Sequence, residues 1–267
     1  MTVNELLNDL KSSALSIMEP TCDKVLVGDG EKQIGKVAVC FNLSAKMLDK
    51  IVKWGADTII SHEGVFGSID RPTGIIREYD LKKKEILEKN GITLFRFHDH
   101  AHNREVDYIH AGFIKTLGLE LEMETPRTQF ARAVYKLKTP MTVEEIAKLA
   151  LKNINLKLGR VVGDKNTVVN KVCLALGWVD LFSGNDMHKP DCELIISGEV
   201  GSELYCQYYM RDANYYGNKQ CLLLLGHIGG EISGMKYFAE ELKEKGFDAK
   251  YFEEDELYDN IFNEDLK

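Results

Sequence analysis

Two hydrophobic rhythms alternate along the chain. Lys36–Phe41 (KVAVCF), Asp57–Ser61 (DTIIS) and Ile92–Phe97 (ITLFRF) are short apolar runs rich in β-branched residues, and each predicts a strand. Between them apolar residues recur at helical spacing. Leu6, Leu7, Leu10, Ala14, Ile17 and Met18 predict a helix over Val3–Met18. Ser44 opens another, with Met47, Leu48, Ile51 and Trp54 on its apolar face. Ile75–Glu88 is a third, stopped by Asn90-Gly91, and a fourth runs through Ile109, Phe113, Ile114 and Leu117 to Gly118. Strand and helix in alternation predict an α/β fold built on a mainly parallel sheet covered on both faces.

Glu120–Pro126 (ELEMETP) is acidic and aperiodic and reads as a boundary between lobes spanning 1–125 and 126–267. Beyond it the rhythm restarts. Strands are predicted at Phe130–Leu137, Val168–Leu176, Glu193–Ser197, Gln220–Leu225 and Phe247–Phe252. Helices are predicted from the capping box at Thr142, near Ser202–Tyr216 and over Glu231–Lys245. The last helix and strand, residues 226–267, are open to packing with the first lobe. The aromatics of Tyr205–Tyr216 read as packing residues, Gly28-Asp-Gly30 as a turn, and the acidic tail as a solvated end.

Polar chemistry collects where strands end, which is where open α/β sheets bind ligands. His62 and Glu63 follow DTIIS, while His98, Asp99, His100 and His102 follow ITLFRF. His227 and Glu231 follow QCLLLL, and Glu199 follows ELIIS. Set side by side, the three histidine-bearing strands would converge on one crevice. The other histidines, His110 and His188, fall in a helix and a loop. Imidazole and carboxylate suit zinc, manganese or iron, and a pair of such ions needs several imidazoles and carboxylates close together. His62, Glu63, His98, His102, His227 and Glu231 supply that set, with His98/His102 and His227/Glu231 each one helical turn apart. Histidines used only structurally are the plain alternative. Gly226-His-Ile-Gly-Gly-Glu is neither a dinucleotide fingerprint nor a P-loop.

Composition narrows the partners. With 34 Lys+Arg against 42 Asp+Glu, the net charge is −8, which opposes broad binding to nucleic acid or anionic membrane. No apolar run approaches membrane-spanning length, and Met1–Leu10 does not resemble a secretion signal. The six cysteines form no Cys-x-x-Cys pair, so a reducing cytoplasm is expected, with neither a disulfide framework nor a thiolate zinc site.

Over most of its length the chain resembles the NIF-three-like dinuclear metal-centre family, part of which carries the name GTP cyclohydrolase 1 type 2. KVAVCFNLSAKMLDKIVKWGADTIISHEGVF resembles its first strand–helix–strand unit, which ends in a histidine pair. FRFHDHAHN resembles its second ligand segment. ELIISGEV and the stretch around GHIGGE resemble its C-terminal half, with GHIGGE the most specific piece. The resemblance implies His62 as the first histidine of the pair, with Glu63 standing where the family has the second. His227 and Glu231 take its closing His-x-x-x-Glu. His98 and His102 stand where the family has histidine and, four residues on, aspartate; Asp99 and His100 are rival ligands in that segment.

The resemblance further implies two intertwined α/β lobes with mixed, mainly parallel sheets, two divalent ions per chain at the lobe junction, and a ring-shaped homohexamer. The function expected is a dinuclear divalent-metal-dependent hydrolase acting on a small molecule, a nucleotide such as GTP, with Glu199 as a proton-transfer residue. The alternative is a non-catalytic metal-binding or regulatory scaffold. The two differ in whether any substrate turns over.

Overall fold

The apolar runs of the N-terminal third become neighbouring strands. In the computed structural model, which describes residues 1–67, 77–124, 132–179 and 191–253, β1 (Val25–Val27), β2 (Lys36–Cys40), β3 (Thr58–Ser61) and β4 (Thr93–Arg96) form one sheet with β11 (Asp248–Tyr251). Its order is β1-β4-β3-β2-β11, and only the β1–β4 pair is antiparallel. Helices α2 (Ala45–Trp54) and α3 (Glu78–Lys89) cover one face, where Met47, Leu48, Ile51 and Leu87 share a core with Ala38, Cys40, Ile59 and Leu94. The alternate residues Val37, Val39, Ile60 and Phe95 are equally buried, so the sheet is covered on both sides. That double burial is why these strands read as unbroken apolar runs.

Helix α1 (Val3–Ser12) starts with a capping box between Thr2 and Glu5. It ends earlier than the spacing through Met18 predicts. The Ser12 and Ser13 hydroxyls donate to the carbonyls of Asp9 and Leu10, drawing the backbone out of helix, and Leu15 and Ile17 are left exposed.

The second sheet gathers β5 (Leu121–Met123), β6 (Ala133–Thr142), β7 (Arg160–Val162), β8 (Val168–Val179), β9 (Leu194–Val200) and β10 (Cys221–Leu224), in the order β5-β6-β8-β9-β10-β7. This sheet is the more mixed of the two. Only β8–β9 and β9–β10 are parallel; the β5–β6, β6–β8 and β7–β10 pairs are antiparallel. Strands β1, β5 and β7, three residues each, lie at sheet edges and carry too little periodicity to be read in advance.

Helices α5 (Tyr108–Leu117), α6 (Val143–Ile154) and α7 (Glu203–Tyr215) belong with this sheet. Gly112 of α5 meets Ser233 and Gly234 of α8 (His227–Glu244) so closely that a Cβ on Gly112 would lie 2.2 Å from the Ser233 carbonyl oxygen. On α7, Cys206 and Met210 enter the core, but Tyr205, Tyr208, Tyr215 and Tyr216 are exposed. The expectation that these tyrosines pack is corrected: the buried stripe is Cys206 and Met210, one turn apart, and the tyrosines stand off it.

Contacts divide the chain into one unit of Met1–Ala101 with the described residues from Phe238 on, and another of His102–Tyr237. The division falls before the expected boundary at 125, and β5 pairs with β6, which keeps Leu121–Met123 within the second sheet. Strand β11 pairs with β2, which returns the chain end to the first sheet. No described helix is long and apolar enough to cross a membrane. His188 and the acidic tail lie outside the described residues.

At Thr142, where β6 hands over to α6, the capping box is complete: the hydroxyl accepts from Glu145 N and the Glu145 carboxylate accepts from Thr142 N. Thr142→Ala should destabilise the fold by ~1 kcal/mol, read as a lower midpoint in urea denaturation with an unchanged slope.

Candidate metal centre

In the first unit, β3 and β4 run parallel with Ser61 opposite Arg96, so the residues that follow each leave the same end of the sheet. His62 is fully buried, with Nδ1 3.1 Å from the Phe97 carbonyl oxygen. A carbonyl only accepts, so Nδ1 carries the proton and the lone pair sits on Nε2. The His62 and His98 rings lie 4.6 Å apart, and His98 Nε2 is 3.5 Å from Glu63 Oε1. Arg96 braces the group: Nη2 donates to Glu63 Oε2 at 3.0 Å and Nε to the His62 carbonyl at 3.0 Å. Nothing in the sequence reading gave Arg96 a role, although a cation inside the apolar run ITLFRF was a usable signal.

The histidine-rich segment separates into distinct jobs. His100 is fully buried; its Nδ1 donates to Asp23 Oδ2 at 2.7 Å and its Nε2 accepts from Met18 N at 3.1 Å. Both ring nitrogens are therefore engaged by the protein, and His100 acts as a structural pin rather than a ligand. Asp23, also fully buried, accepts from the backbone N–H groups of His98, Asp99 and His100, which shapes the short helix α4 (Asp99–His102). Asp23 too went unread, since a lone acid between cysteine and lysine carries no sequence signal. Asp99 Oδ1 lies 3.0 Å from His98 Nδ1, and Oδ2 accepts from Thr21 Oγ1 and Cys22 N. Burial alone would raise the Asp99 pKa, but hydrogen bonds from His98, Cys22 and Thr21 outweigh it and hold the carboxyl far below its usual range. For His98, burial alone would lower the pKa; its hydrogen bonds to Asp99, Cys22 and Glu63 outweigh this and hold the imidazole well above its usual range.

The second unit carries a matching group. His102 Nδ1 donates to Asp107 Oδ2 at 3.0 Å, and Asp107 is itself fixed as the N-cap of α5, accepting from Ile109 N. His102 Nε2 lies 3.8 Å from Glu231 Oε1, and His227 Nε2 lies 3.4 Å from Glu231 Oε2. Helix α8 begins at His227, a turn before the predicted Glu231, so the two residues share one face. The Glu231 side chain is 2% exposed and stands between two imidazoles. His227 Nδ1 is 3.4 Å from Glu199 Oε2, on the 54% exposed Glu199 side chain. Gly177 (φ +81) makes the room: a Cβ there would lie 2.0 Å from Glu231 Oε1.

His62, Glu63 and His98 are thus together in one unit, and His102, His227 and Glu231, with Glu199 beside them, in the other. The three histidine-bearing strands do not lie side by side in one sheet: β3 and β4 are neighbours in the first, while β10 lies beside β9 in the second. An apolar run identifies a strand but not its neighbour. Each group offers two imidazoles and one carboxylate, a donor set suited to divalent zinc, manganese or iron. The tethered Nδ1 atoms of His62 and His102 are the second tier of support that metal-binding histidines commonly have. Asp107→Asn should lower metal affinity roughly 10- to 100-fold by loosening His102, measured by competition with a chromogenic chelator.

Known proteins share this arrangement of sheets. The chain is similar, at 26% identity over 92% of each chain, to a protein of Clostridium perfringens (strain 13 / Type A) named GTP cyclohydrolase 1 type 2 homolog. Its fold is that of the Staphylococcus aureus hypothetical protein SA1388, with a TM-score of 0.74 at 15% identity over 98% of this chain and 99% of that one. A Bacillus cereus protein related to NIF3 superposes with a TM-score of 0.69 at 14% identity, over 98% and 99% of the two chains. The Duf34/NIF3 (NGG1p interacting factor 3) profile matches residues 1–256, a span that holds both sheets and both histidine–glutamate groups, and the chain belongs to that family.

Proposed function

We propose that this chain is a divalent-metal-dependent hydrolase, with one ion on His62, Glu63 and His98 and a second on His102, His227 and Glu231. The observation that carries this reading is Glu231: a carboxylate withdrawn from solvent, with one oxygen towards each of two imidazoles. Burying a carboxylate among imidazoles is costly unless a cation or proton is shared there. When bound, such ions lower the pKa of coordinated water towards neutrality and polarise the group to be cleaved.

The chain's own residues do the rest. Arg96 holds Glu63, the Phe97 carbonyl holds His62, and Asp107 holds His102, so the donors need little reorganisation. Glu199 is near His227 and open to water, which suits a residue that passes a proton between the site and solvent. A nucleotide substrate such as GTP is suggested by the name of the Clostridium perfringens relative. The pairing of the two ions in one centre and a hexameric ring in the cytoplasm rest on the family resemblance.

The test is turnover. Metal-free chain reloaded with zinc, manganese or iron should hydrolyse a member of a nucleotide and heterocycle panel, and His227→Ala should abolish this. Glu199→Gln should slow the reaction ~100-fold or more while leaving bound metal unchanged. Metal-linked stability with no turnover on the panel would favour a regulatory scaffold instead.

A further inference from the structure

Beside His98 and Asp99 stands a sulfur. Cys22 Sγ, a ring nitrogen of His98 and a carboxylate oxygen of Asp99 all lie within 4.8 Å of one another. We propose that Cys22, His98 and Asp99 form a thiolate-containing metal position that takes thiophilic divalent ions such as zinc or cadmium. The absence of a Cys-x-x-Cys pair had argued against any thiolate site; this one uses a single cysteine brought to its partners by the fold.

The position is built by hydrogen bonds that leave the right atoms facing each other. Asp99 Oδ2 is committed to Thr21 Oγ1 and Cys22 N, at 2.8 and 2.9 Å, which leaves Oδ1 on the His98 side. Those bonds also fix residue 22 beside residue 99. Asp23 locks the same two segments from beneath, accepting from His98 N at 2.6 Å and Asp99 N at 3.1 Å. The donors are therefore organised before any ion arrives, which favours binding. The His98 and Asp99 side chains are each 19% exposed, so a small ion can reach them.

Thiolate, imidazole and carboxylate with a water as fourth ligand make an ordinary tetrahedral zinc set. Sulfur also gives the position a preference. Thiolate favours zinc or cadmium, whereas manganese favours the oxygen of Glu63. Binding releases the thiol proton, and the proton on the ligating ring nitrogen of His98 goes to solvent. A neutral imidazole has one lone pair, so His98 serves either the Cys22 position or the Glu63 position, whose Oε1 lies 3.5 Å from Nε2. The proposal rests on the hydrolase reading only through that shared ring. Its rival is a purely supporting role, in which Asp99 orients His98 and Cys22 is a bystander.

The experiment is a titration of the full metal-free chain with cobalt(II) and with cadmium, in wild type and Cys22→Ser. Near-ultraviolet thiolate-to-metal absorption and elemental analysis are read together. The expected result is a charge-transfer band in wild type that is lost in Cys22→Ser, while the variant keeps its melting temperature and its other bound metal. Uptake without a thiolate band, or a band undiminished in Cys22→Ser, overturns the proposal. In Glu231→Ala the band should persist. A band that accounts for all bound metal in wild type would support the Cys22 position and refute the hydrolase reading; uptake with no band does the reverse.

Discussion

Glu231→Ala is expected to remove the ion proposed for His102, His227 and Glu231 and, with it, any metal-dependent activity. The carboxylate is one of three donors there, and its oxygens lie 3.8 and 3.4 Å from the ring nitrogens of His102 and His227. Loss of a supporting residue around a metal costs 10- to 100-fold in affinity, so loss of a direct ligand should exceed roughly 100-fold, about 2.8 kcal/mol. Glu231→Gln separates charge from volume: it keeps the shape and should lose nearly as much affinity, since a neutral amide is a poor ligand for a divalent ion. Elemental analysis and calorimetric titration with zinc would measure both. Affinity within a few-fold of wild type in both variants would mean that Glu231 is no ligand.

Gly177→Ala should produce the same metal loss without replacing a donor residue. The new methyl would lie 2.0 Å from Glu231 Oε1 and 3.0 Å from Cδ, so the carboxylate must leave its place. Backbone retreat is closed off because the Gly177 carbonyl already packs on Gly198, where a Cβ would sit 2.5 Å from that oxygen. Residue 177 also has φ +81, where alanine is strained by roughly 1–3 kcal/mol. The metal-free variant should therefore melt below wild type, and the variant should bind one fewer ion. A normal melting temperature with full metal content would show that the Glu231 side chain is not held against Gly177. Because β8 changes register between Ala175 and Trp178, this glycine is part of an irregularity that shapes the strand end.

Much of the frame was legible because it obeys local rules. KVAVCF, DTIIS and ITLFRF are strands because double burial selects apolar residues on both faces, and that leaves a continuous run. Thr142 and Glu145 mark a helix start because the orphan N–H groups of the first turn need nearby acceptors. His227 and Glu231 could be paired from spacing alone, since residues four apart on a helix share a face. The edge strands were invisible for the converse reason: three residues acquire strand geometry from a partner rather than from their own pattern.

The histidines show where local rules stop. Sequence placed His98, His100 and His102 in one segment, and only the family resemblance favoured His98 and His102 over His100. Their roles follow from partners remote in sequence: Asp23 and Met18 engage both nitrogens of His100, while Glu63 lies beside His98 and Glu231 beside His102. Strand identity, helix starts and the supply of metal-binding donors were thus determined by the chain itself, through interactions spanning a few residues. Which histidine offers a lone pair, which strands are neighbours, and why Gly177 must lack a side chain were decided by tertiary structure, because each depends on atoms that only the completed fold brings within a few ångströms.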